Sequence, residues 1–137
     1  MRRTILILSI IAAASAQAQS LCGPIADRCE RHMTREYIPD GQFYRALLQG
    51  DEVAEFGLTL FGGTTYRVAA CSGESDGIII FSVYDKEHTL LFTNSEYQNS
   101  PYWDFVLAST MDVTIEATLD PTMANSGCAV MLMGFKK

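Results

Sequence analysis

Two histidines, four cysteines and a scatter of carboxylates are the side chains of this sequence with chemistry to offer. Nucleophilic catalysis needs a Ser or Cys held beside a base. The bases on offer are His32, within a helical pattern, and His88, in a turn beside Asp85 and Glu87; no GxSxG elbow accompanies them. A tetrahedral zinc site would have to draft cysteines, because two distant histidines cannot complete it. Asp104 and Asp112 flank a bend and could form a glycosidase-type carboxylate pair. Both fall at outward-facing positions with no cleft, so they read as solvated surface. Calcium takes about six to eight oxygens. The turn 73–77 offers Glu74 and Asp76, and Asp85 and Glu87 follow, without a DxDxDG loop. The expectation is no catalytic residue, no cofactor and no metal, with Glu74, Asp76 and Asp85 the places a calcium ion would go.

Binding is better served. Residues 94–102 (NSEYQNSPY) mix two tyrosines with amides and hydroxyls, next to Trp103. Loops on rigid β scaffolds carry binding, and aromatic faces beside amides suit a glycan or a polar peptide. Tyr97, Gln98, Asn99 and Tyr102 are therefore the candidate ligand-binding residues. The competing reading folds Tyr97 and Tyr102 back onto the core. Met111, Met131 and Met133 read as core gap-fillers.

The chain begins like an export signal. Arg2 and Arg3 precede an apolar run over 4–14, and Ala16-Gln17-Ala18 supplies small residues for cleavage after Ala18. That run is shorter than the roughly 18–20 residues of a membrane span. Gln19 and Leu21 stand where a lipobox before Cys22 would need Leu and Gly or Ala. Cleavage would leave eight Lys and Arg against sixteen Asp and Glu, a net charge of −8. Such a chain repels nucleic acid and anionic lipid. The expected location is secreted or periplasmic.

An even cysteine count in an exported chain favours disulfides. Cys22, Cys29, Cys71 and Cys128 allow three pairings, and sequence alone does not choose. Cys71 ends one strand-like run and Cys128 begins another, which fits a bridge. Cys22 and Cys29 on a continuous helix would lie about 10 Å apart, beyond disulfide reach. They can pair only if the chain near Cys22 is not helical, which Gly23-Pro24 permits. No CxxC spacing suggests redox catalysis.

The elements follow from pattern. A chain of 137 residues, 48% hydrophobic and 19% charged, suits one domain, here 19–137. Ile25, Cys29, Met33 and Tyr37 recur every four residues, predicting an amphipathic helix over about 24–37. It starts at Gly23-Pro24 and stops at Pro39-Asp40-Gly41. Short apolar runs punctuated by turns follow at 43–48, 53–61, 65–71, 78–84, 89–93, 102–108, 111–119 and 128–135. The fold class is mainly β: an antiparallel, jelly-roll-like sandwich of about eight strands with one N-terminal amphipathic helix. Runs 78–81 and 129–135 do not alternate, so both should be covered twice, by the facing sheet and by the helix.

The strings YRALLQGDEVAEF (44–56), TTYRVAACSG (64–73), YWDF (102–105) and GCAVMLMGFK (127–136) resemble small secreted bacterial proteins of uncharacterised function. The strand order is also similar to pre-peptidase C-terminal and GOLD-like β-sandwich domains, with FSVYD (81–85) in place of their LYD-type strand. This resemblance implies a jelly-roll-like accessory domain and transfers no catalytic residue. Such domains usually hang on a larger enzyme or adhesin. The functional expectation is an exported, non-catalytic binding or envelope-associated module for a protein or glycan. The alternative is an envelope component that assembles with itself, as an oligomer, through an apolar sheet face. A small hydrolase built on loop carboxylates ranks last.

Overall fold

The computed structural model describes residues 14–136. Residues 1–13 of the expected leader lie outside that range. Two four-stranded antiparallel sheets face each other. The first has the order β1 (Tyr37–Gln49), β8 (Ser126–Lys136), β3 (Thr65–Cys71), β6 (Tyr102–Val106). The second has the order β2 (Ala54–Leu60), β7 (Met111–Leu119), β4 (Ile79–Asp85), β5 (Leu90–Thr93). All eight apolar runs become strands, and the sandwich is the expected one.

Period-two alternation sets the faces. In β7, Val113, Ile115, Ala117 and Leu119 are buried, while Asp112, Thr114, Glu116 and Thr118 look outward. Between the sheets they meet Val68, Phe81, Val83, Met131 and Met133. Phe81 and Ile115 are fully buried; burying each contributes roughly 1.5–3 kcal/mol.

The helix α1 (Ala14–Cys29) lies across the outer face of the first sheet. Cys22, Ile25, Ala26 and Cys29, at helical spacing i, i+3, i+4, i+7, form one stripe. It packs on Ala69, Cys71, Cys128, Val130 and Leu132, with Met33 at the margin. Run 129–135 is thus covered on both faces. Run 78–81 is not. On β4 the outward residues Ile80, Ser82 and Tyr84 are only half-buried, because among the described residues no element crosses the second sheet.

Three expectations need correction. The helix does not start at Gly23-Pro24: it is already formed at Ala14, across the expected cleavage position, and Pro24 lies inside it. There the missing N–H leaves the Ser20 carbonyl without its intrahelical donor. Nor does it reach Tyr37. It ends at Cys29, followed by one 3₁₀ turn at Glu30–His32. Pro39 favours extended backbone at Ile38, and Tyr37 to Pro39 already pair with Lys136 to Gly134. The Pro39-Asp40-Gly41 turn is instead a bulge, where pairing jumps from Pro39↔Gly134 to Phe43↔Leu132. Gly41 supplies φ 81° there. An edge strand tolerates Pro39 because its N–H would face no second partner.

The disulfides are the third. They join Cys22 to Cys128 and Cys29 to Cys71, with Cα separations of 5.6 and 5.8 Å. The expected bridges Cys71–Cys128 and Cys22–Cys29 are both absent. Since Cys22 and Cys29 sit two turns apart on a continuous helix, they cannot meet. Cys71 and Cys128 lie on neighbouring strands with both side chains turned up toward that helix, so each takes the helical cysteine above it.

Candidate functional site

The ladder between β3 and β6 places the first group. Ala70 N donates to Pro101 O and Leu107 N to Thr64 O. Antiparallel pairs alternate, so Arg67↔Asp104 and Ala69↔Tyr102 are the close, non-hydrogen-bonded kind. Arg67 and Asp104 therefore project side by side on the outer face, beyond the end of α1. The guanidinium grips the carboxylate with two prongs, Nε to Oδ1 at 2.7 Å and Nη2 to Oδ2 at 2.9 Å. Its Nη1 donates to the His32 carbonyl at 2.9 Å. Tyr37 and Tyr102 sandwich it, each ring centroid 4.3 Å away. Such cation–π contacts stiffen an arginine already fixed by its fork.

The charges respond accordingly. Hydrogen bonds from Arg67 hold the Asp104 carboxyl below its ordinary 3.8, with Tyr37 adding to the effect. The same bonds raise Arg67, and burial together with the Asp104 charge raises the Tyr37 phenol. His32 Nε2 lies 3.1 Å from Asp76 Oδ1, and its ring rests 5.5 Å from that of Tyr102. Arg28 donates to the Gly73 carbonyl, fixing the 73–77 turn to the helix. The result is a pre-ordered cluster in which Tyr102 is the exposed member, laid over a largely covered Arg67 and a buried Tyr37.

The 94–102 loop divides its residues among different jobs. Asn94 is fully buried; its Oδ1 accepts from Phe81 N at 2.9 Å, and its Nδ2 donates to the carbonyls of Ile79 and Ser100 at 2.9 and 3.0 Å. Gln98 and Asn99 are consecutive left-handed residues, φ 57° and 52°. Asn99 Nδ2 donates to Gly77 O and to Asp120 Oδ2, tying three loops together. The Thr122 hydroxyl and amide, with Asn99, hold Asp120 below its ordinary pKa. Gln98 is exposed at the tip. Tyr97 is half-exposed and stacks on Phe92 and Trp103, whose ring centroids lie 5.7 and 4.3 Å away. Tyr102 and Trp103 are adjacent in a strand and so face opposite ways. Tyr97 therefore sides with Trp103, and Tyr102 with Arg67.

The remaining candidates disperse. Asp85 caps its own turn, accepting from Glu87 N and Thr89 N. It sits at the far end of β4 from Glu74 and Asp76, about 20 Å of strand away, so these three do not converge. His88 stacks on Tyr84 at 4.3 Å. Asp104 and Asp112 lie on the outer faces of different sheets, and Asp112 accepts from the Thr59 hydroxyl at 2.6 Å. His32, Cys71 and Asp76 bring their ligand atoms within 4.8 Å of one another. The Cys71 sulfur, however, is bridged to Cys29 and is no thiolate. Sequence reading missed the Tyr37–Arg67–Tyr102 stack and the Asn94 anchor. Only a cross-strand register, pairing the Arg of TTYRV with the Asp of YWDF, would have found the first.

No family model matches the chain, and neither does any curated protein. Among solved structures it is similar to PliG of Aeromonas hydrophila, a periplasmic lysozyme inhibitor of g-type lysozyme. The TM-score is 0.53 at 13% identity, covering 69% of this chain and 85% of that chain. At that identity the likeness is one of fold. Among the described residues, no helix is long and apolar enough to cross a membrane.

Proposed function

We propose that this chain is a non-catalytic protein-binding module of an oxidising, extracytoplasmic compartment, and that its partner is a cell-wall lytic enzyme of the lysozyme class. The observation that carries this reading is the Tyr37–Arg67–Tyr102 stack clamped by Asp104. Binding hot spots are rich in Tyr, Trp and Arg, and side chains ordered beforehand lose little entropy on docking. The fold likeness to PliG supports the partner class. Two disulfides suit export. The chemically able groups are already engaged: every cysteine is bridged, His32 pairs with Asp76, and His88 stacks on Tyr84.

Self-assembly through an apolar sheet face has less support. The helix covers that face of the first sheet, and the second presents Glu55, Thr59, Asp112 and Glu116. The test is calorimetry and cell-wall lysis with a g-type lysozyme. The expected result is stoichiometric binding that slows lysis, weakened about tenfold by Tyr102→Ala with an unchanged melting temperature. A wild-type chain that neither binds nor inhibits at micromolar concentration defeats the lysozyme reading. A Tyr102→Ala chain that binds as well as wild type removes the stack from it.

A further inference from the structure

Strand β6 has a second free side. Its hydrogen-bonded pairs with β3 use Trp103 and Phe105, so the N–H and C=O groups of Asp104 and Val106 aim away at the open edge of the sheet. Across the gap runs β5, the edge of the other sheet, whose pairing with β4 slips between Phe92 and Leu90. Phe92, Tyr97, Trp103 and Phe105 stack together and plug one end of this gap. The other end is an open cleft of about 260 Å³, lined chiefly by Leu91, Phe105, Val106, Leu107 and Met111. Val106 is 81% exposed and Leu91 46%. Neither Lys nor Pro lies within β6 to blunt the edge. Sharing Met111 at the mouth is a shallow hollow carrying Asp85, Glu87 and Asp112 against one ammonium, Lys86. Among the described residues no ion pair engages those three carboxylates.

We infer that this slot is the docking groove for an extended segment of a basic protein partner. The segment adds a strand to the edge of β6, seats an apolar side chain in the cleft and sets an Arg or Lys over Asp85, Glu87 and Asp112. This rests on the protein-binding reading above and gives the partner its chemistry. A second copy of the chain is the disfavoured occupant, since it carries a net charge of −6 and the same acidic mouth.

The test is methyl and amide NMR on the whole chain, titrated with an acetylated hexapeptide alternating valine and arginine, and with its glutamate counterpart. The basic peptide is expected to shift Leu91, Val106 and Met111, and the acidic one to bind at least about tenfold more weakly. Val106→Lys places a charge on an already exposed side chain, so the fold persists and the basic peptide loses its site. Asp112→Lys weakens it about tenfold. No shift at those residues at millimolar peptide overturns the inference, as does equal binding of the acidic peptide or undiminished binding to Val106→Lys. A lysozyme that fails to bind leaves this titration standing, and a failed titration leaves the lysozyme assay standing, so the two failures are distinguishable.

Discussion

The two sheets share one core and have opposite outer faces. On the first, β8 and β3 turn Val130, Leu132 and Ala69 outward into the underside of α1, with a disulfide at each of two neighbouring strands. On the second, β2 and β7 turn out Glu55 directly opposite Glu116, beside Thr59, Asp112 and Thr114. Like charges facing across a pair cost stability, which the core tolerates where water screens them. The contrast separates tasks: the covered sheet is built for rigidity and carries Arg67 and Tyr102 at the rim of its cover, while the bare sheet presents acidic and hydroxyl side chains to water.

Charge placement should break this contrast most sharply. Val130→Asp buries an unpaired carboxylate under the helix and should cost about 4 kcal/mol or more in urea unfolding. Thr114→Asp, on the bare sheet, should cost less than about 1 kcal/mol. Equal losses would mean that α1 is no true cover. Asn94→Ala comes next, at about 2 kcal/mol, because it orphans the buried Phe81 N–H and the Ile79 carbonyl. Hydrogen exchange should report that loss at β4 and β5, leaving β8 protected. Asp104→Asn should be smaller and pH-dependent. The wild-type carboxyl is held below 3.8, so its contribution is whole above that value and disappears as pH falls through the depressed one. The variant should be the less stable at neutral pH, by under about 1 kcal/mol given the partial exposure, with the two converging in acid. Glu116→Lys should instead stabilise, by about 0.5 kcal/mol at low salt, fading as salt is added.

Much of the architecture was legible. Each strand announced itself by apolar runs between turn residues, and β7 by strict alternation of Val113, Ile115 and Ala117 with Thr114 and Glu116. The unbroken run in β8 correctly asked for two covers. The same inference failed at β4, because Ile80 is one apolar residue on an outward face that Ser82 and Tyr84 otherwise make polar. Helix bounds misled through Gly23-Pro24, whose breaking tendency loses to a stripe anchored at Cys22 and Cys29. Disulfide partners depend on which strands neighbour each other, and β3 and β8 are far apart in the chain. The Tyr37–Arg67–Tyr102 cluster was the least visible part. Tyr102 stood out as an exposed aromatic, yet its partner Arg67 lies on another strand and looked like any polar residue in a run. The loop's polar composition gave no hint that Asn94 is interior while Gln98 is solvent-facing.

The bridges at Cys22–Cys128 and Cys29–Cys71 span 106 and 42 positions and straddle nearly every loop. A protease that clips the backbone anywhere between Cys22 and Cys128 therefore releases nothing, because both fragments stay tethered by sulfur. The nicked molecule would run as one band until a reductant is added, and it could go on working among hydrolases that would dismantle an unbridged chain.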